Sequence, residues 1–128
     1  WGTATNHLSH HDANLTQLMD RLNEYRVMWL LVFFDLPTDT KKKQKEYLKF
    51  RNFLLEDGFT MFQFSIYMRN CASSENAAVH TQRVKSHLPP HGKVGILCIT
   101  DKQFGNMELF FGGNAQETPP EGTQLELF

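Results

Sequence analysis

The sequence predicts an α+β domain with an antiparallel sheet, and three observations carry that prediction. An eight-residue apolar run, Val27 to Phe34, closes on Asp35-Leu36-Pro37, too short for most helices and rich in aromatic and β-branched residues. The segments that follow read helix, strand, strand, helix, strand, which is the split βαβ order of a ferredoxin-like βαββαβ sheet. The strands are apolar on both faces, whereas helices in such a fold cover one face only. The bare face therefore predicts dimerisation sheet to sheet.

Each element has its own local reason. Residues 1–24 read as an N-terminal extension in which Leu15, Leu18, Met19, Leu22 and Tyr25 fall at helical spacing behind Asp12 or Asn14 as a cap. His7, His10, His11 and Asp12 could hold a metal if helical, or be a tag-like end, and Met19 or Met28 could serve as the natural start. The ferredoxin-like domain is expected over 25–112. Its first strand ends near Asp35, because Pro37 cannot donate to a ladder and biases Leu36 away from helix. Thr38 or Thr40 can cap a helix that begins in Lys41-Lys42-Lys43, carries a wide apolar stripe of Tyr47, Phe50 and Leu54 with Leu48 and Leu55, and stops at Gly58. Phe59–Phe64 and Ser65–Arg69 read as one bent strand or two joined by a bulge. Ser73 or Ser74 opens a second helix with Ala77, Val84 and Leu88 inward, ended by Pro89-Pro90. Lys93–Thr100 is a fourth strand and Met107–Phe111 a short fifth. Gly112-Gly113 and Pro119-Pro120 mark a loose linker, and residues 113–128 read as that linker and a C-terminal strand or peptide.

Charge is close to balanced overall but unevenly placed. Residues 41–102 carry eleven Lys/Arg against five Asp/Glu, residues 1–40 two against five, and residues 103–128 none against four. A basic centre suits a polyanionic partner. Cys71 and Cys98 read as free thiols of a reducing compartment. No signal peptide is visible in the sequence and no apolar run approaches the ~20 residues that span a bilayer, so a cytoplasmic protein away from the membrane is expected.

Asp35 is the main candidate site residue. A carboxylate at the tip of a buried strand needs a donor, a water or a cation, so it either binds a divalent metal or caps the neighbouring turn. Three lysines oppose the dipole at a helix start; they are there for a partner or form a solvated charge run.

The runs Phe33-Phe34-Asp35-Leu36-Pro37-Thr38, Phe50-Arg51-Asn52-Phe53-Leu54, Gly58-Phe59 and Gln63-Phe64-Ser65-Ile66-Tyr67 resemble the CRISPR-associated protein two family, the small partner of the spacer integrase. The wording around Asp35 and Gly58 most resembles members found beside a single large RNA-guided nuclease. The resemblance spans about residues 25 to 105. It implies a homodimer clamped between integrase dimers, with duplex DNA across its basic surface. It implies Mg2+ at Asp35, the candidate catalytic residue, and in many members a metal-dependent endoribonuclease or DNase activity. It also places Lys41, Lys42, Lys43 and, more weakly, Arg69 near the nucleic acid.

Two functions compete. One is a DNA-binding structural subunit of the spacer-acquisition complex; the alternative is a magnesium-dependent endonuclease or endoribonuclease acting on RNA through Asp35. One carboxylate per chain is sparse for metal-assisted hydrolysis, and His80, His87 and His91 offer no evident general base. A ligand-binding dimer is a third reading if no nucleic acid binds. The tail residues Gln124, Leu125, Leu127 and Phe128 alternate as a strand that could pair with a sheet edge. They also resemble the pentapeptide that binds the bacterial sliding clamp.

Overall fold

In a computed structural model the described residues are 14, 15, 17, 18 and 26–117. The elements are β1 (Met28–Asp35), α1 (Lys41–Glu56), β2 (Thr60–Gln63), β3 (Ile66–Cys71), α2 (Ser74–Lys85), β4 (Lys93–Thr100), α3 (Asp101–Gly105), β5 (Leu109–Phe111) and β6 (Asn114–Gln116). Four strands form one antiparallel sheet in the order β2-β3-β1-β4, which is the expected ferredoxin-like arrangement. The most apolar strand, β1, lies at the centre, paired on both sides.

Local chemistry sets the ends of α1. Thr40 accepts from the Lys43 backbone N–H at 3.2 Å. At the other end Gly58 sits at φ +90, its N–H reaches the Leu55 carbonyl, and the Phe59 N–H reaches Leu54. This is a Schellman closure that only a residue at ease with positive φ completes cheaply. Helix α2 starts on the Ser73 hydroxyl and stops at Lys85, ahead of Pro89-Pro90. Leu88, expected inward, is therefore past the helix end and exposed, and His80 takes the inward place.

The alternation of β1 divides its side chains between two faces. Leu30, Val32 and Phe34 pack with Phe50 and Leu54 of α1, Ala77 and Val84 of α2, and Tyr67 and Cys71 of β3. Each such side chain contributes about 1.5–3 kcal/mol on burial. On the opposite face Trp29, Phe62, Met68 and Phe104 form a smaller core. Trp29 stacks on Phe104 at 3.9 Å and donates its indole N–H to Asp101 at 2.7 Å, so α3 covers one end of that face. The other end stays open: Phe33 is 45% and Leu97 48% exposed. The first strand is thus covered on its helix side and only half covered on the other.

Two segments differ from expectation. Phe64-Ser65 turns the chain between β2 and β3, and the bulge lies earlier, between Met61 and Gln63. Gly112-Gly113, expected to open a linker, instead turns a β5–β6 hairpin, with φ of +58 and +85. Of the N-terminal segment, Asn14, Leu15, Gln17 and Leu18 are helical and exposed. The histidine cluster and the C-terminal peptide lie outside the described residues.

Candidate functional site

Asp35 is the last residue of β1 and is exposed. Its neighbour across β4 is Lys93, and among the described residues no group donates a hydrogen bond to its carboxylate. The backbone around it is held by two glycines. A Cβ on Gly92, at φ +92, would lie 2.6 Å from the Asp35 carbonyl oxygen and 2.7 Å from a Leu36 methyl. A Cβ on Gly95 would collide with the Phe33 ring, so that ring packs directly against β4, on the same sheet face as the Asp35 side chain. The tip is positioned by close packing while its charge remains in water.

The connection 36–40 brings the N-terminus of α1 to the same end of the sheet. Lys41 and Lys42 are exposed there, and among the described residues neither forms an ion pair. Lys43 is partly engaged: its ammonium sits 3.3 Å from Asp39. That hydrogen bond, more than the charge itself, lowers the Asp39 pKa below the usual aspartate value.

Arg69 points to a different task. It lies within β3, where its Nε donates to the Asp57 carbonyl at 2.9 Å and its Nη1 to the Asn70 carbonyl at 2.8 Å. The structure gathers Asp35 and the lysines at one end and sets Arg69 at the end of α1 that carries Asp57. Gln124, Leu125, Leu127 and Phe128 lie outside the described residues.

A cluster that pattern reading missed surrounds Asp57. His80 Nδ1 lies 2.7 Å from one carboxylate oxygen and Arg83 Nη1 3.0 Å from the other, with the Asp57 side chain only 7% exposed. Burial pushes this carboxyl up, but hydrogen bonds from His80 and Arg83 outweigh it and the net shift is downward. Its partners are 23 and 26 residues away, beyond the reach of local periodicity. The other described imidazoles are occupied as well: His91 faces Glu46 at 3.0 Å, and His87 stacks on Phe53. Burial pushes up the thiols of Cys71 and Cys98, and both are free.

Metal chemistry meets a clear constraint. Among the described residues no group of three or more His, Cys, Asp or Glu side chains converges on a point. One chain offers a single carboxylate, which suits a magnesium ion only where further oxygens come from a second carboxylate, substrate phosphates or water. Among the described residues no helix is long and apolar enough to cross a membrane.

These features define a class: a ferredoxin-like α+β domain with a solvated carboxylate, without a partner among the described residues, at the tip of its central strand and a basic helix start beside it. Comparison with known proteins gives the family. The family model for CRISPR associated protein Cas2 matches residues 28–107. A protein from Flavobacterium psychrophilum named CRISPR-associated endoribonuclease Cas2 is 62% identical over 108 residues, covering 84% of this chain and 94% of the relative. One of the same name from Parvibaculum lavamentivorans is 52% identical over 101 residues, covering 79% of this chain and all of the relative. A third, from Campylobacter jejuni, is 46% identical over 106 residues, covering 82% of this chain and 74% of the relative. The chain belongs to the CRISPR associated protein Cas2 family.

Proposed function

We propose that this chain is a metal-dependent endoribonuclease of a CRISPR system, working as a symmetric pair in which two Asp35 carboxylates share a magnesium ion. The observation that carries this is the exposed carboxylate of Asp35, without a described donor, at the edge of the open face formed by Phe33 and Leu97. A second copy laid on that face removes apolar surface from water and brings the two carboxylates toward the symmetry axis. The names of the relatives support the same activity. The bound ion would supply charge neutralisation at the scissile phosphate. This chain's own part is to hold the ion at Asp35 and to draw the phosphate backbone in with Lys41 and Lys42.

The test is cleavage of labelled single-stranded RNA by the full chain. Asp35→Asn, which keeps the shape and relieves repulsion between paired charges, should lower the rate about 100-fold or more. Removing magnesium with a chelator should match it, while the mass in solution stays that of a dimer. Undiminished cleavage by Asp35→Asn overturns the reading.

A second reading is favoured by the lysines themselves. Among the described residues Lys41 and Lys42 have no acidic partner, and they stand where the helix dipole disfavours cations. In this reading the protein is a structural subunit that holds duplex DNA for an integrase. Lys41 and Lys42 then touch phosphates, Lys43 does so on release from Asp39, and Arg69, with two of its nitrogens already committed, adds little. Replacing the three lysines by alanine should lower the salt slope of duplex binding by about 0.9 for each phosphate no longer neutralised. Integration by the partner should survive Asp35→Asn.

A further inference from the structure

A second feature of the helical side bears on how a single strand would approach Asp35. Lys41, Lys45 and Lys49 recur at four-residue spacing, so they form one stripe along α1, and all three are exposed. The stripe leads into a groove of about 510 Å³ lined by Lys45, Leu48, Lys49, Asn52, Phe53 and His87, with Glu56 at its far end. Its floor is aromatic. His87 lies parallel to Phe53, with ring centroids 3.9 Å apart and planes 12° from parallel. Nδ1 of His87 donates to the Arg83 carbonyl at 2.8 Å, which restrains the ring, and the residue as a whole is exposed. Among the described residues neither Lys45 nor Lys49 has an acidic partner, and the Asn52 side chain is exposed.

We propose that this groove is a base-stacking cleft for single-stranded RNA, with His87 as the platform, Lys45 and Lys49 on the backbone phosphates, and Asn52 at a base edge. The proposal rests on the endoribonuclease reading and adds to it a place where the substrate is held. Three observations favour a nucleic-acid single strand over other occupants, and the endoribonuclease reading makes that strand RNA. A flat, fixed aromatic face needs an unpaired base to stack on it, and aromatic platforms beside cationic stripes are how single strands are bound without sequence readout. The charge is complementary to a polyanion, with Glu56 the one acid among the lining residues. The groove also lies within a short strand's reach of the candidate cutting site. The loop that carries His87 reaches Gly92, whose Cα packs against Asp35 and Leu36, and five residues span at most about 18 Å. A strand of a few nucleotides bridges that distance.

The experiment is a binding titration by fluorescence anisotropy. It uses the full chain carrying Asp35→Asn, so that the RNA stays intact, with a short oligoadenylate and an abasic oligomer of equal length as probes. His87→Ala should weaken oligoadenylate binding about tenfold and leave abasic binding unchanged, because one base can no longer stack. His87→Phe should retain oligoadenylate binding, since it keeps the π-face and loses only the imidazole. Lys45→Gln with Lys49→Gln should lower the salt slope by about 1.4 for both probes, about 0.7 for each phosphate on a single strand. Equal weakening for the two probes with His87→Ala, or none, overturns the cleft, and a groove indifferent to bases is a protein-docking surface instead. The outcome is separable from the cleavage reading: a base-dependent His87 effect in a protein whose parent cuts no RNA sinks the nuclease and keeps the cleft. Cleavage abolished in Asp35→Asn beside an inert His87 does the reverse.

Discussion

Two aspartates close neighbouring elements and meet opposite fates. Asp57 ends α1 with its side chain 7% exposed, and His80 and Arg83 occupy its two oxygens. Asp35 ends β1, faces water, and takes a hydrogen bond from no described group. A carboxylate buried without partners costs several kcal/mol, so Asp57 exists only with its cluster. Asp35 keeps its hydration and asks nothing of the fold. The contrast teaches that a satisfied charge holds structure together, whereas a charge held in place by backbone packing but left unpaired is free to take a ligand.

The sharpest break of this contrast is to neutralise each carboxylate in turn. Asp35→Asn should lower RNA cleavage about 100-fold or more and leave unfolding free energy within about 0.5 kcal/mol. Asp57→Asn should invert the pattern, losing roughly 2–3 kcal/mol in a urea titration while cleavage per folded molecule persists. If both variants lose activity and neither loses stability, the division of labour is wrong.

Gly92→Ala tests the link between packing and chemistry. A Cβ 2.6 Å from the Asp35 carbonyl, at a positive φ, must shift the strand tip. The expected cost is about 1–3 kcal/mol, with a fall in cleavage alongside it. Loss of stability with an unchanged rate would mean that the turn does not position the carboxylate.

The smallest effect is pH dependence. Because the folded-state pKa of Asp57 is depressed, its contribution is complete above the ordinary aspartate value of 3.8 and is lost as pH falls below it toward the folded value. Urea midpoints measured from neutral pH down to acid should show a shallower decline in Asp57→Asn than in the parent. Parallel declines would remove Asp57 from the acid response.

Elements with short-range causes were legible in the sequence. The end of β1 follows from Pro37, the start of α1 from Thr40, its end from Gly58, and β4 coincides with the apolar run 93–100. Asp35 and the lysines stood out because each is locally odd: a charge on an apolar strand, and cations at a helix start. What escaped depends on distant partners. Helix α3 is five residues long, too short for a periodic stripe, although Thr100 and Gln103 spell its capping box. Its value lies in the Trp29–Asp101 hydrogen bond across 72 residues. The Asp57 cluster escaped for the same reason, as did the Phe53–His87 stack, which forms only when α1 and the loop after α2 are brought together.

The β5–β6 hairpin is a sheet of its own, separate from the four-stranded one, and Phe110 and Phe111 on it are 58% and 41% exposed. A lone two-stranded ribbon is marginal in water. Its amides should therefore exchange with solvent deuterium long before those of β1 and β3, by opening that leaves the rest folded. Anything that binds against these aromatic side chains should therefore register first as slowed exchange at residues 109–116, before any change in global stability.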